Sequence, residues 1–289
     1  MNTQLHQNTS ATPLTAPAPA APNRLLFYLA LIMLVPVAYQ HVLVTGWGLP
    51  SLPVTEAGVA IFVALFSLLH GLAALGWRNT LALFGITAVI GWSFEQAGVA
   101  TGLIYGVYHY SDALGPKLGH VPYAIPIAWF SMLYVSYQIA QLITQGSLRR
   151  RQSGWATLIW QAFVTGLVLT AWDVLVDPLA SGPGALSWIW EQGGAYYGVP
   201  VQNFIGWILT AFTVVVCYRL CERLVPARPL AQQTRTTLVL PLVVYGLIMV
   251  QMMVRHDAPT EWPVLAAFVM GFPLVAAVSQ LFRGNDMTL

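Results

Sequence analysis

Long apolar runs alternate with short polar or turn-forming breaks along nearly the whole chain. Eight stretches, near 25–45, 56–76, 80–102, 123–145, 155–179, 203–221, 237–254 and 262–282, are apolar for about the 20 residues a helix needs to cross a bilayer. The pairs around Arg78 and around the segment from Arg255 to Trp262 are tightly connected. The pattern predicts an all-α polytopic integral membrane bundle of about eight transmembrane helices. An even number places both termini on one side. The chain then divides into a Pro/Ala-rich tail over 1–23 and a single transmembrane helical domain over 24–289. The tail carries no Asp, Glu, Lys or Arg and reads as disordered. It has no basic start, and its small-residue stretch comes before the first apolar run. It therefore does not read as a signal peptide, and the first span is expected to stay in the protein.

Composition agrees, since only 8% of the 289 residues are charged, against about a quarter in soluble domains. Such a chain cannot cover a water-facing surface, and a net charge of +2 gives no footprint for nucleic acid. The few cations test the topology. With a cytoplasmic N-terminus, the inside receives Arg24, Arg78, Arg149, Arg150, Arg151, Arg219, Arg223, Arg228, Arg235 and Arg283. The outside receives only Lys117 and Arg255. This distribution predicts cytoplasmic N- and C-termini and a multi-pass protein of the inner (cytoplasmic) membrane.

Two long segments fall on the other side, 103–122 and 180–202. Both are rich in Gly, Pro, Tyr and Trp, and both end in a Val-Pro that opens the next span. The helices leading into them carry the intramembrane acids Glu95, Asp173 and Asp177. A carboxylate at membrane depth is costly and normally faces the bundle interior. Asp173 and Asp177 are one turn apart on one helix face. Two such groups in a low-dielectric site do not both ionise cheaply, so one is expected to hold a proton, which makes the pair an acid. A polar contact between helices, or a helix end at Asp177-Pro178 reaching the headgroups, fits the same residues. Glu95 opens a stretch with Gly98, Gly102 and Gly106 spaced four apart. These glycines are expected to stack on one helix face and let a neighbouring helix or a flat ligand approach closely.

His41, His70, His109 and His120 lie within or near the bundle, but none has a His partner one turn away and no Glu-x-x-His motif appears. A membrane di-iron site needs such clustering, so no metal and no cofactor is expected. Trp172, Trp188, Trp190, Tyr196, Tyr197 and Trp207 crowd the second segment. They suit both an interfacial aromatic belt and a site that stabilises a cation. Cys217 and Cys221, one turn apart, read as small apolar fillers. There is no phosphate loop, nucleotide fingerprint or nucleophile elbow.

Two ordered blocks of residues resemble a known family. The first runs Glu95-x-x-Gly98-x-x-x-Gly102-x-x-Tyr105-Gly106-x-Tyr108-x-Tyr110, then Gly115-Pro116-Lys117, Val121-Pro122 and Ile125-Pro126-x-x-Trp129. The second runs Trp172-Asp173-x-x-x-Asp177-Pro178, Trp188-x-Trp190, Tyr196-Tyr197-Gly198-Val199-Pro200 and Asn203-Phe204-x-Gly206-Trp207. Together they look like the membrane carotenoid 1′,2′-hydratases of the CruF type, over roughly 85–210. The resemblance implies addition of water to the ψ-end double bond of an acyclic or monocyclic carotenoid, giving a tertiary alcohol. It implies a carotenoid substrate in membrane lipid, with other carotenoid-biosynthesis enzymes as partners.

The residues supply parts for that chemistry. Hydrating a trisubstituted alkene requires a strong acid, because protonation makes a tertiary carbocation. The Asp173/Asp177 pair is the expected acid, Asp173 ahead, with Glu95 as alternative acid or as the base that activates water. His109, Tyr105, Tyr108 and Asn203 are the expected water-holding groups, and Trp172, Trp188, Trp190 and Tyr197 the lining of the cationic end, with Gly98 and Gly102 opening the cavity. A lycopene cyclase begins with the same protonation but leaves the mass unchanged. A non-enzymatic carotenoid- or lipid-binding protein uses the glycines and aromatics but tolerates loss of the acids.

Overall fold

The computed structural model describes residues 23–51, 56–146, 154–224 and 235–283. Most of the Pro/Ala-rich tail, together with Arg149, Arg150, Arg151 and Arg228, lies outside the described residues. Asn23 instead begins the first helix, where its Oδ1 accepts the Leu26 N–H at 3.3 Å and satisfies one of the unpaired donors of the first turn.

Each of the eight apolar runs forms a helix. In chain order these are α1 (Arg24–Trp47), α2 (Glu56–Ala74), α3 (Trp77–Thr101), α4 (Ala124–Gln145), α5 (Trp155–Ala180), α6 (Val201–Leu224), α7 (Arg235–Val254) and α8 (Trp262–Arg283). Helix is the form that satisfies every backbone polar group within one segment, which lipid demands. Among the described residues six of the eight, all but α2 and α4, are long and apolar enough to cross a membrane. The fold is thus an all-α, multi-span membrane bundle.

The exception of α4 has a physical reason. Every residue from Trp129 to Leu142 is buried, because α4 runs through the centre and packs against α2, α3, α5, α7 and α8. Over that buried stretch no side faces lipid, so the helix can carry Ser131, Ser136, Gln138 and Gln141. The exposed apolar surface belongs to the surrounding helices, for example Leu31, Val35, Val89, Ile205 and Phe272.

The two long connections hold the only strand pairing that joins distant parts of the described chain. β1 (Tyr108–Tyr110) pairs antiparallel with β4 (Trp188–Trp190), with Tyr108 opposite Trp190 and Tyr110 opposite Trp188. A second, local pair joins β2 (Lys117–Leu118) to β3 (Val121–Pro122). Side chains alternate across a strand, so β1 buries Tyr108 and Tyr110 and exposes His109.

The glycine face expected beyond Glu95 does not form. α3 stops at Thr101, where Gly102 adopts φ +68° and its N–H bonds the Gly98 carbonyl at 2.8 Å. This is a C-terminal cap that glycine takes without strain. Gly106, at φ +113°, lies in the connection beyond. What Gly98 admits is the ring of Tyr105, held between Gly98 of α3 and Gly206 of α6. A Cβ on Gly206 would stand 2.5 Å from the Tyr105 ring and 2.6 Å from the Ile104 carbonyl oxygen.

Gly206→Ala is therefore expected to cost about 1–3 kcal/mol by overpacking, read as a lower thermal unfolding temperature in detergent. Gly85→Ala, with nothing within 4 Å of the added methyl, is expected to be neutral or stabilising, since Ala favours a helix over Gly.

Candidate active site

The β1–β4 ribbon closes one end of the bundle and points donors at two helices. Glu95 on α3 is buried among three of them. Its Oε2 accepts from the hydroxyls of Tyr108 and of Tyr110, the latter at 2.7 Å, and its Oε1 accepts from the Trp129 indole at 2.9 Å. Burial first, and then the charge of Glu95, push the Tyr108 and Tyr110 hydroxyls well above the usual phenol range. Both therefore stay protonated and donate.

The other strand serves Asp177 on α5. Its Oδ1 accepts the indole N–H groups of Trp188 at 2.8 Å and Trp190 at 3.0 Å. Its Oδ2 accepts from the Asn203 amide at 2.6 Å, and the same nitrogen donates to Asp173 Oδ2 at 3.0 Å. Asn203 sits in the first turn of α6 and bridges two buried carboxyls with its two N–H bonds. The three acids thus offer six oxygens, and five of them receive donors. Asp173 Oδ1 has no hydrogen-bonding partner among the described residues.

Beside this cluster lies a cavity of about 530 Å³, within the range of about 300–1,000 Å³ found for small-ligand sites. Glu95, Asp177 and Asn203 form its polar wall. Trp172, Trp188, Trp190, Tyr105 and Tyr108 line it, together with Trp129, Trp207 and Tyr110. Trp129 and Trp207 stack at 4.2 Å, and Trp172 meets Trp207 edge-on at 5.9 Å. Asp173 does not reach the cavity wall. It lies one turn deeper on α5, linked to the site through Asn203.

Two expected site residues lie elsewhere. His109 faces outward from β1, and its Nδ1 lies 3.0 Å from exposed Glu191. Tyr197 occupies a tight turn in which Tyr197 and Gly198 both have positive φ, with Tyr196 and Val199 bonded across it. This is the pattern of a type I′ turn. Its ring meets Trp262 edge-on at 5.0 Å and its hydroxyl donates to Glu261 at 3.2 Å, away from the cavity. Tyr105 borders the cavity, but its hydroxyl is taken by Thr210 at 2.7 Å, so it holds the wall rather than water. Gly102 is the helix cap described above, and Gly98 is the seat for Tyr105.

The residues that spacing did not reveal as donors are Trp129 and Tyr110. Tyr110 was legible in principle, because Tyr-His-Tyr alternates with period two as a half-buried strand does. Trp129 lies 34 residues from Glu95 on a separate helix, and nothing local in the sequence marks it. Among the described residues, no three His, Cys, Asp or Glu side chains converge to hold a metal ion.

Comparison with known proteins bears on this architecture. Residues 55–274 match the family described as "Carotenoid biosynthesis protein", so the chain belongs to that family. It also aligns with the bisanhydrobacterioruberin hydratase of Haloarcula japonica, 31% identical over 159 residues. The alignment covers 54% of this chain and 50% of that relative, so the chain spans about half of its length. No solved structure matches. The membership bears out the resemblance seen in the two residue blocks.

The geometry predicts an asymmetry along β4. Trp188→Phe and Trp190→Phe each remove a bond to a charged acceptor and are expected to cost about 1.5–3 kcal/mol. Ile189→Ala, on the outer side of the same strand, is expected to cost under about 1 kcal/mol. Thermal unfolding of the three variants in one detergent provides the comparison.

Proposed function

We propose that the chain is a carotenoid 1′,2′-hydratase that adds water to the ψ-end double bond of an acyclic or monocyclic carotenoid by acid catalysis. The observation that carries this reading is the convergence of two buried carboxyls, Glu95 and Asp177, on one aromatic-lined cavity, with a third, Asp173, tied to Asp177 through Asn203. The family membership supports a carotenoid as the substrate, and the printed name of the Haloarcula relative supports hydration as the reaction.

The roles follow from the donor count. Five carboxyl oxygens receive donors and Asp173 Oδ1 receives none, so a proton carried by the Asp173/Asp177 pair is best placed there. The pair, bridged by Asn203, is the acid. Asp177 is its cavity-facing member and Asp173 its reservoir. Protonation of the alkene leaves a tertiary cation, which the π-faces of Trp172, Trp188 and Trp190 stabilise. Glu95, on the same wall, orients and deprotonates the incoming water.

The cavity also has a sideways opening suited to a lipid-dissolved substrate. Ile61 of α2 and Ile127 of α4 line it, yet are 55% and 43% exposed on the apolar surface. An end group enters between these helices while the polyene remains among lipid tails. On this reading all eight helices cross the cytoplasmic membrane, with both termini inside, and neighbouring carotenoid-biosynthesis enzymes pass the pigment on.

Expression in a lycopene-accumulating host tests the proposal. The expected pigment is more polar and heavier by the mass of one water. An isomer of unchanged mass would point to cyclisation, and an unchanged pigment profile counts against enzymatic action on lycopene. Asp173→Asn and Asp177→Asn are each expected to reduce hydration by about 100-fold or more, the scale of losing general acid catalysis. Full hydration by both variants would refute the acid assignment.

A further inference from the structure

A second cavity adjoins the acid-lined one and presents different chemistry. Its volume is about 600 Å³, and none of Glu95, Asp173 and Asp177 lines it. The two cavities share six lining residues, Ala60, Ala128, Trp172, Val176, Ala180 and Ser187. They therefore stand back to back across this wall. Ala60 is exposed on α2, so both cavities reach the apolar surface at the same point.

Val63 of α2, Met132 of α4, and Ile248 and Met252 of α7 make much of the second cavity apolar. Its polar groups come from α1 and from the end of α7. His41 lies in a π-helical segment of α1, Tyr39–Val44, a wider turn that recurs at functional sites. His41 Nδ1 is buried and has no hydrogen-bonding partner among the described residues. Gln251 lines the same cavity and is 6% exposed. Its amide likewise makes no hydrogen bond to another described residue. Buried polar groups in native interiors are normally met by a partner. Arg255, which also lines the cavity, brings its own counter-ion. Its Nε donates to Asp257 Oδ1 at 2.9 Å and its Nη2 to Oδ2 at 2.6 Å, a fork that offsets the charge. The site thus offers neutral donors and acceptors inside an apolar pocket. That combination suits an uncharged polar group on a hydrocarbon chain rather than an ion.

We infer that the second cavity binds the hydroxylated end of an isoprenoid chain, the tertiary alcohol formed in the first cavity, through Gln251 and His41. A hydroxyl donates one hydrogen bond and accepts others, and the Gln251 amide and His41 Nδ1 answer both needs. The inference deepens the hydratase reading and rests on it for the origin of the ligand. The chemistry gives the site a purpose. The acid that protonates the alkene also protonates the tertiary hydroxyl. The C–O bond then breaks with its electron pair, water leaves, and loss of a proton from the adjacent carbon restores the alkene. An alcohol left beside Asp177 is exposed to this reversal. In the second cavity the acid is Asp257, already held by Arg255. Because both cavities open at Ala60, the end group changes cavity while the polyene stays among lipid tails.

The site is tested by titrating the purified full chain in detergent with lycopene and with its 1-hydroxy-1,2-dihydro derivative, followed by quenching of tryptophan fluorescence. The alcohol is expected to bind about fivefold more tightly, the scale of one neutral hydrogen bond. Gln251→Met, of similar volume without the amide, is expected to bring the alcohol down to the level of lycopene. Equal binding of both pigments by the natural chain, or an undiminished preference in Gln251→Met, would overturn the inference. His41→Leu provides the same readout should the Met variant not fold. A preference abolished by Gln251→Met in a chain that hydrates no ψ-end carotenoid would uphold the site and refute the hydratase reading. Hydration without any preference would do the reverse, so the two fail separately.

Discussion

The structure of the site depends on one constraint: buried carboxyls in a lipid-surrounded bundle must be met by donors. A single two-stranded ribbon provides four of them. Tyr108 and Tyr110 on one strand serve Glu95, while Trp188 and Trp190 on the other serve Asp177. Because the strands are paired residue by residue, the two acids are held in fixed relation although they belong to different helices. The period-two alternation of a strand explains the choice of element. It turns two aromatic side chains per strand inward within three residues, which one face of a helix cannot do so compactly.

The same constraint explains what surrounds the ribbon. Asn203 enters from α6 to satisfy the facing oxygens of both aspartates, and Trp129 enters from the central helix to satisfy Glu95. Gly98 and Gly206 give room for Tyr105, which caps the α3–α6 contact and bonds Thr210. The glycines thus serve the wall of the cavity rather than a helix-helix seam. The aromatic groups have two duties, their N–H and O–H edges fixing the carboxyls and their faces lining the cavity.

Much of the fold was legible because spanning a bilayer is a local demand. An apolar run of the right length becomes a helix whatever its neighbours, and all eight runs do. The acids were legible for a related reason, since a charge at membrane depth is too costly to be incidental. Local spacing misled where two local rules compete. The four-residue glycine period after Glu95 reads as a helix face, but Gly102 ends the helix first. Tyr197 looks like one more aromatic of the site, although Tyr197-Gly198 is a turn that carries the ring away. Local sequence marks Asn203 only as a water holder and does not mark Trp129 and Tyr110 as donors, because their partners lie on other helices. Pairing across the bundle is tertiary information.

The central claim is that a buried carboxyl protonates the alkene and water captures the resulting cation. The most direct test runs the hydration in deuterium oxide with purified protein and locates the isotope in the product. The account predicts one carbon-bound deuterium, on the carbon next to the new tertiary alcohol, with the hydroxyl oxygen drawn from solvent. A product with no carbon-bound deuterium, or with hydroxyl oxygen that comes from molecular oxygen, would contradict it.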